Sequence, residues 1–388
     1  SCVCEQKSYQ PTHKIKEEYD GLKGTFIPNF LPEIPELHDL SCDAANVALY
    51  WLSQYVQLEI DFNMNDWRLQ FLLVTFYVHH KGHLWENSSG WLSNEVHFCS
   101  WKGVICSGTN DTIIGLELPN ILNGHQPIPL PEELFLLTNL KLIDFANSSI
   151  GGEFPSGLYN LTDLVYLDLH HNHLTGSIGS ELARLSNLRV LNLNDAGQNG
   201  KLKFELTNEF SQLTYLEELY LSNLSAVGTL PAEIQSLTDI QYLDMKNCGF
   251  SGTLPSELGL LTKLQYLNLG GSSFSSSIPD LSRLQKLAVL DLGENKLEGP
   301  FPSEISKLPL LQKLRLTGAE LTGVLPTELT ELHHMVCFDV GTSTGLSGTV
   351  PDAWCTNAGF IGISIPCFQV EECLCCTCDT LADPCKEV

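Results

Sequence analysis

The sequence predicts an α/β-type solenoid, and two observations lead to this fold class. A unit rich in leucine recurs between Ile113 and Pro351 at a spacing of mostly 24 residues, and each unit opens with the pattern L-x-x-L-x-L. A fixed period of this length indicates stacked units, none of which can bury its apolar face alone. Clear copies read LVYLDLHHNHLTGSI from Leu164 and LAVLDLGENKLEGPFP from Leu287. The ten units begin at Ile113, Leu140, Leu164, Leu188, Leu216, Ile240, Leu264, Leu287, Leu311 and Met335.

Each unit predicts a strand followed by a bend. The L-x-L segment is typical of a short strand with its leucines directed inward, while the glycine and proline that follow permit a bend and fix φ. Because L-x-x-L-x-L continues into L-x-G-x-[IL]-P, the chain resembles the plant-type leucine-rich repeat class. The resemblance implies a right-handed superhelix of about ten 24-residue coils, with parallel strands on its concave face.

One position departs from that class. The class places asparagine eight residues after the first leucine, where its amide satisfies the backbone of the adjacent coil. Only two units keep it, and the position holds Ile121, Ser148, Asn172, Ala196, Leu224, Cys248, Ser272, Asn295, Ala319 and Ser343. We therefore expect irregular coils near Ala196 and Leu224, and the spacing of 28 residues from Leu188 to Leu216 predicts a bulged loop.

The segments outside the repeats predict two caps and an arm. Residues 1–41 read as an extended N-terminal arm, and 42–112 as a helical cap in which Ser41 or Asp43 begins one helix and Asn65 or Asp66 another. The repeats occupy 113–353, and a terminal strand containing FIGISI precedes a cysteine-rich cap within 354–388. The motif CSWKGVIC resembles the N-terminal cap of plant-type repeats, which implies a Cys99–Cys106 disulfide. The tail resembles those of secreted algal leucine-rich repeat proteins of the diatom type.

Cysteine content and glycosylation motifs indicate an extracellular protein, either secreted or at the cell surface. The chain has 14 cysteines, and its N-x-[ST] acceptors are Asn87, Asn110, Asn147, Asn160 and Asn223. No apolar run reaches the roughly 18 residues of a membrane span. Since Ser1 is not an initiator methionine, we expect a signal or anchor to have been removed or to lie outside these residues.

The cysteine positions leave the disulfide connectivity open beyond Cys99 and Cys106. The expected disulfide cysteines also include Cys2, Cys4, Cys42, Cys355, Cys367, Cys373, Cys375, Cys376, Cys378 and Cys385. Zinc binding by the tail is the disfavoured alternative in an oxidising compartment. Cys248 is expected to be a buried free thiol, whereas Cys337 either pairs with the tail or stays free. A free Cys337 would leave odd counts at both ends, which predicts a bond between arm and tail, within one molecule or head-to-tail between two.

A surface for partners is expected on the strand face. The fifth residue of each unit lies on this face and is often acidic, which suits Ca²⁺ or a cationic partner. The sequence L-D-L is, however, ordinary in this class. Tyrosines on the same face make good contact anchors. The predicted partner-binding residues are Tyr166, Asp168, Tyr220, Tyr242, Asp244 and Tyr266.

The sequence contains no pattern that indicates catalysis, a cofactor or a tight metal site. His79 and His83 lie four apart on one helical face, and His170, His171 and His173 follow Asp168, but neither group has a second ligand cluster. A formal charge of −25 argues against nucleic-acid partners. We expect a non-enzymatic glycoprotein with protein partners.

Two functions remain open at this stage. The favoured hypothesis is a structural or self-assembling component of an extracellular matrix or filament, with head-to-tail contacts between its caps. The alternative is a ligand-recognition module, such as a receptor ectodomain or an inhibitor of a secreted enzyme, that binds its partner on the concave strand face. Fold alone does not decide between them.

Overall fold

The computed structural model describes most of the repeats and the N-terminal cap. It covers residues 20, 23, 44–56, 64–93, 95–109, 111–121, 125–197, 202–226, 228–341, 343–355, 362–364 and 376–377. The chain divides into two compact units, residues 1–173 and residues 174–388. Most of the predicted arm, most of the cysteine-rich tail and residues 198–201 of the predicted bulged loop lie outside the described residues, and the predicted domain boundaries stay predictions.

Two helices form the N-terminal cap, as the apolar spacing predicts. Helix α1 spans Ala44–Val56 and α2 spans Met64–His79. The expected caps at Asn65 and Asp66 are wrong, because α2 begins at Met64 and both residues lie in its first turn. There the Asp66 carboxylate faces the positive end of the helix dipole.

An aromatic cluster joins the cap to the first coils. Trp91 lies between Trp85 and Trp101, with ring centroids 5.0 and 5.1 Å away. Phe76 of α2 stacks on Phe145 of a coil with centroids 5.3 Å apart, and both rings are fully buried. Aromatic pairs of this kind contribute about 0.5–1.5 kcal/mol beyond the area they bury. The cap therefore covers apolar surface that the first coil exposes.

The strands follow the L-x-L segments closely. In the first unit the main sheet contains β1 (Val104–Cys106), β2 (Ile113–Glu117), β3 (Leu142–Asp144) and β5 (Tyr166–Asp168), with β1 antiparallel to β2 and the rest parallel. In the second unit it contains β7 (Val190–Asn192), β9 (Glu218–Tyr220), β11 (Tyr242–Asp244), β13 (Tyr266–Asn268), β15 (Val289–Asp291), β17 (Lys313–Arg315), β19 (Cys337–Asp339), β21 (Gly362–Ser364) and β22 (Cys376–Thr377). The central leucine of each full repeat strand is buried, as in Leu219, Leu243 and Leu267.

A second set of short strands follows the main strands, and most of the bend glycines lie within it. These strands are β4 (Gly151–Glu153), β6 (His173–Ile178), β8 (Leu202–Phe204), β10 (Ser225–Ala226), β12 (Ser251–Thr253), β14 (Ser273–Ser276), β16 (Lys296–Pro300), β18 (Glu320–Val324) and β20 (Gly345–Ser347). The predicted bend glycines Gly152, Gly176, Gly228, Gly252, Gly299, Gly323 and Gly348 all have positive φ. A 3-10 turn, such as Ala232–Ser236, follows most of them and returns the chain to the next strand.

A left-handed residue marks the turn after each main strand. The positions are Asn120, Asn147, His171, Asp195, Asn223, Asn247, Gly271, Glu294 and Gly318, with φ between 51° and 82° for all of them. Asparagine is enriched in this region because its short polar side chain hydrogen-bonds locally. Side chains join neighbouring coils at this corner, since Asn147 Nδ2 donates to Asn120 Oδ1 and Asn247 Nδ2 donates to Asn223 Oδ1.

The coils stay regular where the asparagine is missing. Asn172 Nδ2 donates to the carbonyls of Phe145 and Leu169, and its Oδ1 accepts from Ser148 N and Ile150 N. At the substituted positions, shorter groups serve part of this role: the Ser148 hydroxyl donates to Leu118 O, and the Cys248 thiol to Leu221 O at 3.0 Å.

The expected irregularity near Ala196 and Leu224 is wrong for the described residues. Strand β7 pairs with β9 in register, Val190 opposite Glu218. The Ala196 and Leu224 amides each close a local turn, donating to the carbonyls of Leu193 and Leu221, so backbone groups replace the missing amide side chain.

The C-terminal end of the repeats is closed by helix α3 (Asp352–Cys355) and strand β21. Trp354 is buried, packs on Phe338 with centroids 5.3 Å apart, and donates from Nε1 to Leu332 O. The strand expected within FIGISI is present at Gly362–Ser364 and pairs in parallel with β19. Among the described residues, no helix has both the length and the apolar character that a membrane crossing requires.

Candidate functional site

In the first unit, side chains of the strand face surround the carboxylate of Asp168. Asp168 is 5% exposed. Its Oδ1 lies 2.6 Å from His170 Nδ1 and accepts from the His170 amide, while the Tyr166 hydroxyl donates to Oδ2. His170 and Tyr166 therefore cover the Asp168 carboxylate, and a contact of this residue with a partner stays a prediction.

The neighbouring carboxylate of the first unit is partly desolvated. Asp144 lies opposite Asp168 in the register of β3 and β5, and opposite Glu117 in that of β2 and β3. Burial raises the pKa of Asp144, and the nearby charges of Asp168 and Glu117 raise it further against the amide of Ala146, which donates to it. Three acidic residues in neighbouring strands make this part of the face electronegative.

In the second unit, two columns of side chains run across the strands on the outer side of the main sheet. The strand register places Glu218, Tyr242, Tyr266 and Val289 in the first column, and Tyr220, Asp244, Asn268 and Asp291 in the second. The predicted tyrosines Tyr220, Tyr242 and Tyr266 therefore lie on one face but in two columns, and their role in partner binding stays a prediction. Tyr242 and Tyr266 are neighbours, whereas Tyr220 lies in the column of Asp244 because it is the fifth residue of its unit and not the third.

The tyrosine rings of the second unit are partly buried and ordered by contacts. Tyr242 and Tyr266 stack with centroids 6.3 Å apart and an interplanar angle of 26°. The Tyr220 hydroxyl donates to Glu218 Oε2 at 3.0 Å, and Asn268 Nδ2 donates to the Tyr266 hydroxyl. Burial raises the pKa of both Tyr220 and Tyr266, so both remain neutral donors at physiological pH. Rigid, amphipathic rings of this kind are typical of binding surfaces.

The Asp244 carboxylate of this face has hydrogen-bond donors at one of its two oxygens. Its Oδ1 accepts from the Ser222 hydroxyl at 2.6 Å and from the Lys246 amide at 3.1 Å. No donor reaches Oδ2 within the described part of the chain. Burial raises the pKa of Asp244, and the charge of Asp291 adds to that shift, while Ser222 and Lys246 act against it.

Arg315 neutralises the acidic residues further along the second unit. Its Nη1 lies 3.3 Å from Asp291 Oδ2, and its Nε lies 3.7 Å from Asp339 Oδ2. The Arg315 side chain is 15% exposed and Asp339 only 3% exposed. The strand-face ladder is therefore not uniformly acidic: beyond β15 its carboxylates are internally paired.

Four of the five predicted glycosylation acceptors are among the described residues. Asn147 and Asn223 occupy left-handed positions at the strand-exit corner, Asn160 ends a 3-10 turn, and Asn87 follows the aromatic cluster of the cap. Asn87, Asn160 and Asn223 are exposed, whereas Asn147 is half-buried. None lies in the two columns of the strand face, so glycans at these positions would leave that face open. Asn110 lies outside the described residues.

The cysteines of the described chain divide into bonded and free. Cys99 and Cys106 form the disulfide expected from the resemblance, with Cα atoms 5.6 Å apart. Cys248 is free and 2% exposed, as predicted. Cys337 is disulfide-bonded and fully buried, which removes the alternative that it is free. Its partner, and the side chains of the other predicted disulfide cysteines, lie outside the described residues.

Metal ligands and an enclosed reaction site were sought in the same residues. The described parts of the chain hold no group of three or more histidine, cysteine, aspartate or glutamate side chains placed to bind a metal. Of the helix histidines, His79 contacts Pro129 O at 3.0 Å and His80 is fully buried. A surface pocket of about 210 Å³ in the first unit is lined by Glu86, Asn87, Lys102, Glu117 and Asn120, a mixed polar set without a nucleophile and base in contact.

Comparison with known proteins identifies the fold. Residues 174–300 match the family model described as a leucine-rich repeat region. This stretch carries the strands whose periodic leucines and bend glycines are described above. The fold is a leucine-rich repeat solenoid. No curated protein sequence gives a significant match.

Solved leucine-rich repeat structures resemble the chain over most of its length. The ectodomain of the membrane receptor kinase GASSHO1/SCHENGEN3 from Arabidopsis thaliana, in complex with CASPARIAN STRIP INTEGRITY FACTOR 2, is 28% identical with a TM-score of 0.63, covering 72% of this chain and 33% of its own. The Arabidopsis HAESA ectodomain, in complex with an N-terminally extended IDA peptide hormone, is 30% identical with a TM-score of 0.59, covering 69% and 44%. A plant ice-binding protein shares the fold at 22% identity and a TM-score of 0.55, covering 82% and 99%. The chain thus spans less than half the length of these two receptor ectodomains.

Sequence reasoning overlooked three features of the strand face. Glu218 adjoins Tyr242 across the strands, which unit alignment could have revealed. The left-handed residues recur seven positions after each unit begins, and asparagine at four of them was a readable signal. The pairing of Arg315 with Asp291 and Asp339 depends on side-chain conformations in three coils, so no local sequence pattern could predict it.

Proposed function

We propose that the chain is an extracellular protein-interaction module that recognises a peptide or protein ligand on the strand face of its second unit. One observation carries this proposal. The stacked, half-buried pair Tyr242 and Tyr266 lies beside the Asp244 carboxylate, whose hydrogen-bond donors all reach Oδ1. Partly desolvated aromatic groups next to a polar anchor are typical of the energetically dominant part of an interface.

The resemblance to receptor ectodomains supports the same proposal. The GASSHO1/SCHENGEN3 and HAESA ectodomains were both solved with peptide or protein factors bound, and both are at least 28% identical to this chain. Since the chain spans 33% and 44% of their lengths, ligand recognition is carried over only as a proposal.

Its cysteine chemistry supports an extracellular location. The bonded Cys99, Cys106 and Cys337 suit an oxidising compartment, and the exposed acceptors Asn87, Asn160 and Asn223 are accessible for glycan transfer. The proposal includes no catalytic step and no cofactor.

A self-assembling matrix component is the second candidate function, and one observation favours it. With Cys248 free, an odd number of the 14 cysteines remains, and an odd number cannot pair completely among itself. At least one of those cysteines therefore has no partner within these 388 residues, and it is a second free thiol or bonds to a cysteine outside them. The comparisons support protein interaction and carry no support for a matrix role.

Site-specific photo-crosslinking tests the proposal and separates the two candidates. The full chain would carry a photoreactive phenylalanine analogue at Tyr242, with a matched control at Tyr215, which is 54% exposed and outside the strand face. After illumination in the extracellular protein fraction of its source, we expect a covalent adduct with a different protein from position 242 and none from position 215.

The opposing results are equally specific. Equal crosslinking from both positions would contradict recognition by the strand face. Adducts that contain only a second copy of this chain, together with large polymers that dissolve in reductant, would establish self-assembly instead. A clean monomer with and without reductant would remove that second candidate.

A further inference from the structure

The strand face of the second unit combines two carboxylates with one accessible aromatic ring. In the strand register, Tyr242 lies opposite Glu218 on one side and Tyr266 on the other. Asp244 lies two residues along the same strand as Tyr242 and faces the same side. Neighbouring strands are about 4.8 Å apart, and residues i and i+2 of one strand about 6.6 Å. Both carboxylates are therefore within reach of one group placed over Tyr242.

The Tyr242 side chain is half-buried, and its ring has an aromatic contact on one side only among the described residues. Tyr266 stacks on the ring from the side of β13, with a centroid distance of 6.3 Å. The opposite ring face lies on the side of β9, which carries Glu218. The Tyr242 hydroxyl makes no hydrogen bond within the described residues, so the local contacts of the ring are aromatic.

The charge of this patch is negative and incompletely paired. Asp244 Oδ2 has no donor among the described residues, and Glu218 has only the Tyr220 hydroxyl. The nearby cation is Lys246, whose charge lowers the pKa of Asp244, whereas burial and Asp291 raise it. Of the other basic groups near this face, Arg189 pairs with Glu217 and Arg315 with Asp291. Lys313 lies in the same column as Tyr242, but two strands beyond Tyr266. Two carboxylates against one lysine leave the patch with a net negative charge.

We infer that Glu218, Tyr220, Tyr242, Asp244 and Tyr266 form a site for a basic side chain of the ligand, an arginine in preference to a lysine. The guanidinium plane lies on the face of Tyr242 opposite Tyr266 and donates to Asp244 Oδ2 and to Glu218. A planar guanidinium stacks on aromatic rings and presents a fork of donors, which a lysine ammonium lacks. This inference rests on the proposed function and specifies the ligand chemistry that the face recognises.

The test uses the full chain and short labelled peptides as probes. Fluorescence anisotropy would compare a capped Gly-Arg-Gly-Arg-Gly peptide with its lysine and glutamate counterparts at low ionic strength. We expect the arginine peptide to bind most tightly and the glutamate peptide not to bind. Tyr242→Leu and Asp244→Asn should each weaken arginine-peptide binding by about tenfold.

Matched variants separate the site from general surface attraction. Tyr215→Leu and Glu257→Gln remove an equivalent group from positions outside the face, where Tyr215 is exposed and Glu257 half-buried. Both should change the Kd by less than about twofold. Tyr242→Phe should retain binding, because the ring and not the hydroxyl makes the contact. Lys246→Gln should strengthen binding by about threefold, because it removes a competing cation.

Three outcomes would overturn the inference. One is that Glu257→Gln and Asp244→Asn weaken binding of the arginine peptide equally, which would mean that the net charge of the protein attracts the peptide. Another is equal affinity for all three peptides. The third is unchanged binding in Tyr242→Leu with an unchanged circular dichroism spectrum. If Tyr242 still crosslinks a foreign protein in any of these cases, strand-face recognition stands and only the basic-ligand inference fails.

Discussion

His80 shows how a single buried side chain makes the cap sensitive to acid. The residue is fully buried beside Phe76, with ring centroids 4.8 Å apart, and neither ring nitrogen makes a full hydrogen bond. The pKa of His80 is lowered from 6.5 to about 3. Burial is the main cause and the charge of His79 adds to it, while a hydrogen bond with the backbone of Ile128 offsets part of the shift. Folding therefore requires a neutral imidazole at this position.

The stability of the first unit should fall as the pH drops below 6.5. The unfolded chain binds a proton at His80 near pH 6.5, whereas the folded chain stays unprotonated at His80 down to about pH 3. The stability that neutral His80 contributes is therefore fully present above pH 6.5 and is lost progressively as the pH falls below it. Relative to His80→Phe, the wild-type free energy of unfolding should decrease by about 1.4 kcal/mol per pH unit below 6.5. Urea unfolding followed by tryptophan fluorescence between about pH 7 and pH 5 measures it.

Removal of an exposed histidine serves as the control for this pH dependence. His83→Gln should follow the wild-type curve, because His83 is exposed. Parallel curves for the wild type and His80→Phe would show that the slope comes from other groups.

At the scale of the element, the bend after each main strand depends on glycine in two separable ways. Gly252 and Gly323 both have positive φ, of 80° and 94°, which disfavours any residue with a Cβ. A Cβ at Gly252 would also lie 2.8 Å from Thr229 Cγ2 in the preceding coil, whereas a Cβ at Gly323 would meet nothing within 4 Å.

Alanine at these two bends should separate backbone strain from contact between coils. Gly323→Ala should cost about 1 kcal/mol through the unfavourable φ alone. Gly252→Ala should cost about 1 kcal/mol more, because Thr229 must shift. Thermal unfolding of the two variants measures the difference, and recovery in Gly252→Ala combined with Thr229→Ser would confirm its origin. Equal losses in the two single variants would contradict a steric contribution.

The same element shows what a local pattern could and could not reveal. Strand leucines and bend glycines repeat because each coil meets the same backbone requirement, so Leu243 and Gly252 were predictable from spacing. The roles of Asp168 and Arg315 were not, since each is set by side chains two residues or a whole coil away. The irregular coil predicted near Ala196 was wrong for a different reason. The backbone amide of Ala196 closes the turn that an asparagine side chain closes in other coils.

At the scale of the whole molecule, charge is the dominant global property. A formal charge of −25 on 388 residues makes the folded state repel itself, because only 21 lysines and arginines offset 46 acidic residues. The ion pairs on the strand face, such as Arg315 with Asp291, balance this excess only locally. Screening should therefore stabilise the protein more than it weakens its ion pairs.

We expect the Tm to rise when NaCl is raised from about 0.01 M to about 0.15 M, as the Debye length falls from about 30 to about 8 Å. Differential scanning calorimetry at neutral pH measures the change. The same titration near pH 4.5 should give a smaller rise, because protonated carboxylates no longer repel one another. A Tm that falls with salt at neutral pH would mean that attractive pairs outweigh the repulsion.

The buried thiol of Cys248 constrains the order in which the protein matures. Its Sγ lies 3.0 Å from Leu221 O, and burial raises its pKa to about 12, so the folded coil holds almost none of the thiolate that attacks disulfides. In the nascent chain the Cys248 thiol is not buried, so its pKa is not raised. The coil that contains Cys248 must therefore close before oxidation of the other cysteines is complete, or this residue will compete for their partners and yield scrambled chains.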